Sequence, residues 1–345
     1  MPDSPAPARA RRHRRRHAGL TLSDVARVAG VSPITVSRAL NTPEQLTAET
    51  LARVQEAVAR TGYVPNRVAG GLASSRSRLI AALVPTIASP VFLETVQALT
   101  EAADEAGYQV MLGQSGYGTE REEALLDALI GRRPDGIIVT GIMHSPQVRR
   151  RLAASGIPVV ETWDLTPTPI DMLVGFSHEK VGQAVAEYLL TRGARRPGII
   201  SADDPRAGLR RQGFVEVARR RGVPEVPVEL VPTPTTLGAG RAALGALLDR
   251  HPDIDAVFCS SDMMALGALT EAHARGIEVP RRLRVFGFGD NNFAADAHPS
   301  LTTVRIDGNA IGRRAAGFII DRVAGRPIEQ RVVDLGFELI ARDSA

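Results

Sequence analysis

Residues Thr21 to Asn41 read TLSDVARVAGVSPITVSRALN, and this stretch predicts two short helices joined by a tight turn. Thr21 is followed three residues later by Asp24, which approaches a capping box, and Ser32 precedes Pro33 at the first position of the second helix. Gly30 lies in the turn, where a residue that tolerates positive φ is needed. This pattern is typical of a helix-turn-helix, whose second helix is short enough to enter a major groove.

A third helix is predicted directly after this pair. Thr47 caps a helix over roughly Ala48 to Thr61, and Gly62 ends it. Apolar residues of this helix would complete a small three-helix core: Leu51, Val54 and Val58. Two short helices alone could also be a plain helical hairpin inside a core, so the first stretch by itself leaves both interpretations open.

Two motifs together resemble those of a known protein family. DVA-x-x-AGVS-x-x-TVSRALN followed by GYVPNRVA-x-x-L resembles the DNA-binding headpiece of the LacI family of bacterial repressors. The similarity extends from Thr21 almost to the C terminus and implies four segments. They are a disordered basic tail (1–20), a helix-turn-helix domain (21–65), a hinge helix and linker (66–78) and an effector-binding and dimerisation domain (79–345). The last is expected to form lobe N, about 79–175 plus 305–330, and lobe C, about 176–304 plus 331–345.

The resemblance also implies which residues face DNA. Arg38 is expected to read a base edge, usually of guanine, and Leu72 matches the leucine that wedges into the minor groove. Pro33 and Ile34 depart from the polar readers common in the family and suggest contact with thymine methyls, or none. The full expected set is Thr21, Ser32, Pro33, Ile34, Thr35, Ser37, Arg38, Asn41, Tyr63, Asn66, Arg67, Ala69 and Leu72.

Positive charge is concentrated at the N-terminal end. Of the formal net charge of +4 at pH 7, residues 1–20 contribute about +5 and residues 21–78 about +3, which leaves about −4 for residues 79–345. A field of this sign is expected for contact with DNA phosphates. The arginine run lacks the apolar segment of an export signal, and no stretch is apolar enough for a membrane span. We therefore expect a cytoplasmic protein with no membrane partner.

From Ser77 onwards the pattern changes to alternating strands and helices. Amphipathic helices such as Phe92–Ala106 and Glu120–Leu129 separate apolar runs, which implies open parallel sheets with right-handed crossovers. A break near Val174–Ser177 predicts two lobes with a cleft between them. The predicted strands are Leu79–Val84, Tyr108–Leu112, Gly136–Thr140, Val159–Glu161, Ile199–Ser201, Ala256–Ser260 and Val285–Gly289. The expected fold is a small all-α helix-turn-helix headpiece plus an α/β two-lobed core, which by resemblance is periplasmic-binding-protein-like.

Ligands of such sheets bind beyond the carboxyl ends of the strands. An arginine fork, aromatic faces and carboxylates there would suit a small polyhydroxy ligand. By resemblance, Arg210 binds the ligand, since it lies three residues before Gly213-Phe214. Asp262 is expected to cap the helix Met263–Ala274, a common role of aspartate, and by resemblance also to reach the ligand. Phe92 could equally be plain core, and Asp290 a turn residue. The expected effector-binding residues are Val91, Phe92, Gln114, Trp163, His178, Arg210, Asp262 and Asp290.

Several strings resemble the gluconate-utilisation repressors within the family: NTPEQLT, VPTIASPVF, GIPVVE and VVDLGFEL. A sugar-acid effector needs a cation, which Arg210 can supply, with His178 as a weaker option. The expected protein is a homodimer or a higher-order oligomer that represses transcription at a palindromic operator. A sugar or sugar acid, with gluconate favoured, is expected to relieve this repression. A purine-type regulator that needs a co-repressor is the alternative, and a sugar-binding protein without a DNA role is a further one.

The sequence lacks the motifs that define several classes of enzyme. GQSGYG places Tyr117 where a nucleophile elbow requires glycine, and the third glycine of a dinucleotide motif is missing after Gly238-Ala239-Gly240. The single cysteine, Cys259, excludes a disulfide framework. We expect no catalytic residue, no metal site and no cofactor.

Overall fold

The computed structural model of the chain describes residues 20–64, 76–142 and 144–345. These residues fall into two compact units that meet in the sequence between Ser77 and Arg78, and we call them the headpiece and the core. The predicted basic tail lies almost wholly outside the described residues, as do four predicted hinge contacts: Asn66, Arg67, Ala69 and Leu72. Across the described ranges, no helix combines the length and the hydropathy that a membrane span needs.

The headpiece contains three helices: α1 (Leu22–Ala29), α2 (Pro33–Asn41) and α3 (Ala48–Thr61). The predicted helix starts are confirmed. Thr21 and Asp24 form a complete capping box, and the side chains of Ser32 and Thr47 each accept a hydrogen bond from a backbone N–H three residues further on. Local capping chemistry therefore sets where all three helices begin.

The headpiece helices pack around three fully buried valines, Val25, Val36 and Val54, one from each helix. Gly30 ends α1 in the left-handed conformation with φ of +65°, as predicted. Arg53 Nη2 of α3 donates to the carbonyl of Ala29 at 2.8 Å, so the turn before α2 is tied to the third helix.

One lobe of the core, lobe N, is built on a six-stranded parallel sheet in the order β11-β5-β4-β3-β1-β2. Its strands are β1 (Leu79–Val84), β2 (Gln109–Gln114), β3 (Gly136–Thr140), β4 (Val159–Thr162), β5 (Met172–Gly175) and β11 (Val332–Asp334). Its helices are α4 (Leu93–Glu105), α5 (Thr119–Ile130), α6 (Pro146–Ala154) and α11 (Gly308–Val323).

The second lobe, lobe C, has a four-stranded parallel sheet in the order β7-β6-β8-β9. The strands are β6 (Pro197–Ala202), β7 (Val228–Val231), β8 (Ala256–Cys259) and β9 (Arg284–Phe286). The helices are α7 (His178–Thr191), α8 (Pro205–Arg220), α9 (Leu237–Arg250) and α10 (Asp262–Ala274). A separate antiparallel pair joins β10 (Thr303–Arg305) to β12 (Glu338–Ile340). The predicted fold class is confirmed.

The chain crosses between the lobes later at its C-terminal end than predicted. Val332–Asp334 was assigned to lobe C, but this strand pairs with β5 in the lobe N sheet. Only beyond it does the chain return to lobe C, where the Ser344 hydroxyl donates to the carbonyl of Val285 at 2.6 Å. The assignment was wrong because strand pairing across distant sequence leaves no local pattern.

Two glycines bring α7 and α8 into backbone contact. A Cβ on Gly182 would overlap the carbonyl oxygen of Arg210, and a Cβ on Gly213 would overlap that of Glu179. Neither residue has the positive φ that would itself require glycine, so close helix approach is the reason for the missing side chain. This contact fixes the height and rotation of α8, and with them the position of Arg210.

We expect Gly182→Ala to lower the free energy of unfolding of the core by about 1–3 kcal/mol, because the added methyl forces the two helices apart. Gly208→Ala, also on α8 but with open space around it, is the matched control. It should leave stability unchanged or raise it by up to about 1 kcal/mol through helix propensity. Urea unfolding followed by circular dichroism measures both, and equal effects of the two substitutions would contradict the packing argument.

Candidate functional site

One side of α2, the second helix of the headpiece, is exposed to solvent. Val36 and Ala39 are buried, whereas Ile34 is 67% exposed and Pro33 and Arg38 are also accessible. Among the described residues Arg38 has no ion-pair partner, in contrast to Arg27 of α1, which pairs with Asp24 at 2.8 Å. A free cation on the outer side of a helix-turn-helix suits contact with DNA.

Several predicted DNA contacts also have structural partners. Ser32 and Thr35 lie within hydrogen-bond distance through their hydroxyls at 2.9 Å, and Asn41 Nδ2 donates to the carbonyl of Ser37 at 2.8 Å. Tyr63, another predicted DNA contact, is 8% exposed and belongs to the headpiece core.

A cleft between the two lobes of the core holds the second candidate site. The empty space within it, part of which is open to solvent, is about 800 Å³. Residues from both lobes line this interlobe cleft. Five of the predicted effector residues are among them: Val91, Phe92, Trp163, His178 and Arg210.

The lobe N wall of the cleft is aromatic. The ring of Phe92 meets Trp163 edge to face with centroids 5.1 Å apart. Trp163 Nε1 donates to Thr95 Oγ1 at 3.1 Å, so the indole N–H is already used within the protein. Trp163 has φ of +62°, which directs the chain away from the end of β4. The wall therefore offers an apolar face that suits the carbon skeleton of a ligand.

The lobe C wall carries a buried positive charge. Arg210 is 5% exposed, and its guanidinium carbon lies 4.1 Å from the centroid of the Phe288 ring. Its Nη1 donates to His178 Nδ1 at 2.8 Å and its Nη2 to the carbonyl of Ser260 at 3.2 Å, while Nε has no partner. Burial lowers the pKa of Arg210 to about 10, so the group remains charged at neutral pH.

His178 is neutral beside this arginine. Burial, and then the charge of Arg210, lower the pKa of His178 well below its usual value. Its Nδ1 accepts from Arg210, and its Nε2–H donates to the carbonyl of Trp163 at 2.9 Å. The expectation that His178 could supply a cation was therefore wrong, and its role is to hold Arg210 in place.

A second arginine, Arg206, lines the cleft one helical turn before Arg210. Its guanidinium lies 5.7 Å from the Phe92 ring centroid. Within the described parts of the chain, neither arginine forms an ion pair with a carboxylate, although Asp204 and Asp164 lie near enough to raise the pKa of Arg210 against the larger effect of burial. The cleft thus presents two cations without a bound counter-ion.

Asp262 was predicted to cap a helix and to reach the ligand, and the first part is wrong. Ser261 is the N-cap of α10, and Asp262 is fully buried behind the wall of the cleft. Its carboxylate accepts from Thr303 Oγ1 at 2.6 Å and from the backbone N–H of Asn291 at 2.8 Å. It therefore joins the start of α10 to the segment that crosses between lobes.

Two more predicted effector residues lie outside the lining of the cleft. Gln114 is the exposed last residue of β2. Asp290 is bound by two arginines, Arg305 at 2.6 Å and Arg342 at 2.7 Å, which places it in the crossover between lobes. The ends of strands identify an edge of the sheet, but they do not show which way a side chain points.

Sequence reasoning missed several residues that line the cleft. They include Tyr117, Asp204, Arg206 and Thr235. One signal was available for Arg206, because residues four apart share one side of a helix and Arg210 was already a candidate. The others come from loops whose neighbours are distant in sequence.

The pH dependence of stability tests the buried state of Asp262. Burial raises the pKa of its carboxyl group to about 6, above the value of an unfolded chain. Its contribution to stability is therefore complete below about pH 4 and is lost as the pH rises through 6. Relative to wild type, the free energy of unfolding of Asp262→Asn should improve by up to about 3 kcal/mol between pH 4 and pH 7.

Urea unfolding of the core at a series of pH values measures this difference. Asp296→Asn, at an exposed position of the neighbouring segment, is the control and should remain parallel to wild type. A difference between Asp262→Asn and wild type that does not change with pH would contradict the assignment.

Comparison with known proteins agrees with this arrangement. The chain matches the model of bacterial regulatory proteins of the lacI family over residues 21–66 and that of a periplasmic binding protein-like domain over residues 186–345. The HTH-type transcriptional regulator GntR of Pseudomonas aeruginosa is 39% identical over 326 residues, which cover 94% of this chain and 95% of the relative.

Solved structures show the same similarity. A LacI family transcriptional regulator from Silicibacter pomeroyi superposes with a TM-score of 0.89 at 34% identity, covering 94% of this chain and 99% of that one. The lac repressor dimer bound to operator and the anti-inducer ONPF gives a TM-score of 0.81 at 25% identity, covering 95% and 99%. The chain therefore belongs to the LacI family and is a DNA-binding transcriptional repressor rather than an enzyme.

Proposed function

We propose that this repressor binds a palindromic operator as a homodimer and that a sugar acid, with gluconate favoured, binds the interlobe cleft and relieves repression of a carbohydrate-utilisation operon. The operator-bound dimer of the lac repressor supports the first part. The similarity to a regulator called GntR and the strings shared with gluconate-utilisation repressors support the second.

The observation that carries the choice of effector is the unpaired charge of Arg210. A buried charge without a counter-ion is costly, and a carboxylate entering the cleft would offset this cost through charge-assisted hydrogen bonds. The unpartnered Nε of Arg210 and the neighbouring guanidinium of Arg206 are available donors. A neutral sugar or a neutral purine would leave the charge of Arg210 without a counter-ion, so the cleft favours an anion.

The rest of the lining suits a polyhydroxy ligand. Hydroxyl groups of Thr86, Ser89 and Thr235 and the carboxylate of Asp204 offer donors and acceptors for ligand hydroxyls. The rings of Phe92 and Phe288 cover apolar faces on either side. An anion with several hydroxyl groups is a sugar acid.

Relief of repression requires that the ligand binds one arrangement of the lobes more tightly than the other. The cleft takes its lining from both lobes, so a ligand that contacts both favours the closed arrangement. In the mechanism of the family, closure of the lobes changes the register of the two subunits of the dimer. Their hinge helices then no longer pair over the operator. We therefore favour induction by the ligand over co-repression.

Wild-type protein should bind gluconate measurably by calorimetry and should bind ribose and hypoxanthine at least tenfold more weakly. Arg210→Gln should lose gluconate affinity by about 100-fold or more, because hydrogen bonds to a charged group contribute about 1.5–3 kcal/mol and the counter-charge is also lost. In a gel shift, gluconate should release operator from wild type and not from the variant.

The matched control for Arg210→Gln is Arg211→Gln, the next residue of α8, which does not line the cleft. It should bind gluconate like wild type. Tighter operator binding in the presence of gluconate would contradict induction, and tight binding of hypoxanthine would favour the purine-type alternative.

For the headpiece, we propose that α2 enters the major groove with Arg38 reading a base edge and Thr35 and Ser37 nearer to phosphates. The exposed Ile34 and Pro33 would meet thymine methyls. The hinge contacts Asn66, Arg67, Ala69 and Leu72 remain predictions from the family pattern.

We expect Arg38→Ala to lose operator specificity while the dimer stays folded, since one base contact contributes about 1–3 kcal/mol of discrimination. Gel shifts on operator and on a scrambled duplex at fixed salt measure the specificity ratio. Arg60→Ala, which removes an exposed arginine from the last turn of α3, is the control and should keep the ratio of wild type. An unchanged ratio for Arg38→Ala would exclude a base contact by this residue.

A further inference from the structure

A second cavity adjoins the interlobe cleft on the side of lobe N. Tyr117 and Arg206 line both cavities and so form their common wall. The other residues of the second cavity come mainly from the ends of β1, β2, β3 and β4. Three of them carry ionisable side chains that do not line the cleft: Glu122, His144 and Asp164.

Glu122 and His144 satisfy each other. His144 Nδ1 lies 2.7 Å from Glu122 Oε1, and His144 Nε2 lies 2.9 Å from the carbonyl oxygen of Gly141. Both ring nitrogens of His144 therefore have a partner within the protein, and this pair is complete without a ligand.

Asp164 is different, because one of its oxygens has no partner. The residue is 2% exposed, and its Oδ1 accepts from the backbone N–H of Leu165 at 2.8 Å. Its Oδ2 is buried without any hydrogen bond. Burial raises the pKa of this carboxyl, and the Leu165 hydrogen bond and the charges of Arg206 and Arg210 act in the opposite direction. A buried acceptor left unsatisfied is destabilising until a donor reaches it.

We propose that the second cavity is a hydroxyl subsite, in which Asp164 Oδ2 accepts a hydrogen bond from the far end of an open-chain polyhydroxy acid whose carboxylate lies at Arg210. This inference rests on the proposed function, because it assumes that a sugar acid occupies the cleft. It adds the ligand's direction, with the anionic end at Arg210 and the hydroxyl end past Arg206 and Tyr117.

The charges of the two cavities favour this direction over its reverse. A ligand carboxylate in the second cavity would face the carboxylate of Asp164. In the cleft it faces the guanidinium groups of Arg206 and Arg210, and the carboxylate of Asp204 there already accepts from two backbone N–H groups of α8. Arg206, which lines both cavities, separates the ligand carboxylate from Asp164. A chain too short to pass Arg206 can bind only through its carboxylate end, so the subsite selects for chain length.

Calorimetry with two acids of different length tests the subsite in the full-length protein. In the proposed orientation, D-gluconate, with six carbons, extends into the second cavity, whereas L-threonate, with four, is expected to stay within the cleft. Wild type should bind gluconate at least tenfold more tightly than threonate. Asp164→Asn should weaken gluconate binding about tenfold or more and change threonate binding less than twofold, since only the longer acid loses a hydrogen bond to a charged group.

A second variant tests the same cavity by filling it. Ile142 lines only the second cavity, and Ile142→Trp should weaken gluconate at least tenfold while leaving threonate within twofold. Asp203→Asn, at an exposed position that lines neither cavity, is the control and should match wild type for both acids. Thermal unfolding shows whether each variant is folded, and the Ile142 variant decides if Asp164→Asn is not.

The outcomes separate this inference from the proposed function. If wild type binds both acids equally, or if a folded Asp164→Asn or Ile142→Trp weakens both acids by the same factor, the subsite is wrong and the effector class stands. If neither acid binds wild type, the proposed function fails and the subsite fails with it.

Discussion

The structure of the core depends on one constraint: the guanidinium of Arg210 must stay charged while it is buried in the protein. The neutral ring of His178 accepts one of its N–H groups, the carbonyl of Ser260 accepts another and Phe288 covers its face. The glycines Gly182 and Gly213 allow α7 and α8 to meet at backbone distance, which brings Arg210 to these partners. None of the partners carries negative charge. The site therefore binds two N–H groups of Arg210 but leaves its Nε without a partner and its charge without a counter-ion, and the proposed anionic effector would supply both.

The crossover between lobes lies directly beside this site. Asp262 binds both Thr303 of β10 and the backbone of Asn291, and Asn291 itself lines the cleft. Asp290, one residue earlier, is held by Arg305 and Arg342 from two other crossing segments. A change in the angle between lobes must alter these buried contacts, and a ligand against Asn291 lies next to them. The crossover thus gives a physical link between occupancy of the cleft and the arrangement of the lobes, which a ligand-controlled repressor requires.

Local chemistry made much of this fold predictable. Capping residues such as Thr21 and Ser32 act within one helical turn, so the starts of the headpiece helices follow from short stretches of sequence alone. Strands with long buried runs, such as β1, were predictable for the same reason. The short strand β11 pairs with β5, more than 100 residues earlier in the sequence, and was missed, whereas the equally short strands β4, β8 and β9 were predicted. At the site, the edge of the sheet was predicted correctly, but Asp262 and Asp290 point into the crossover, because tertiary partners and not sequence position decide the direction of a side chain.

The two cavities together explain how one cleft could discriminate among acids that share the same carboxylate. A single cationic pocket binds any small anion, and Arg206 and Arg210 alone would provide little selectivity among them. Asp164, on the far side of Arg206, would add selectivity, because its Oδ2 can accept a hydrogen bond from a ligand hydroxyl group and its charge repels a second ligand carboxylate. A sugar diacid would bind Arg210 through one carboxylate and place the other against the buried carboxylate of Asp164. A neutral sugar would leave the charge of Arg210 without a counter-ion. In the proposed function, selectivity for a monoacid with a long hydroxyl chain would then arise from the order of the groups that the ligand meets, with the guanidinium groups of Arg210 and Arg206 followed by the unpartnered Oδ2 of Asp164.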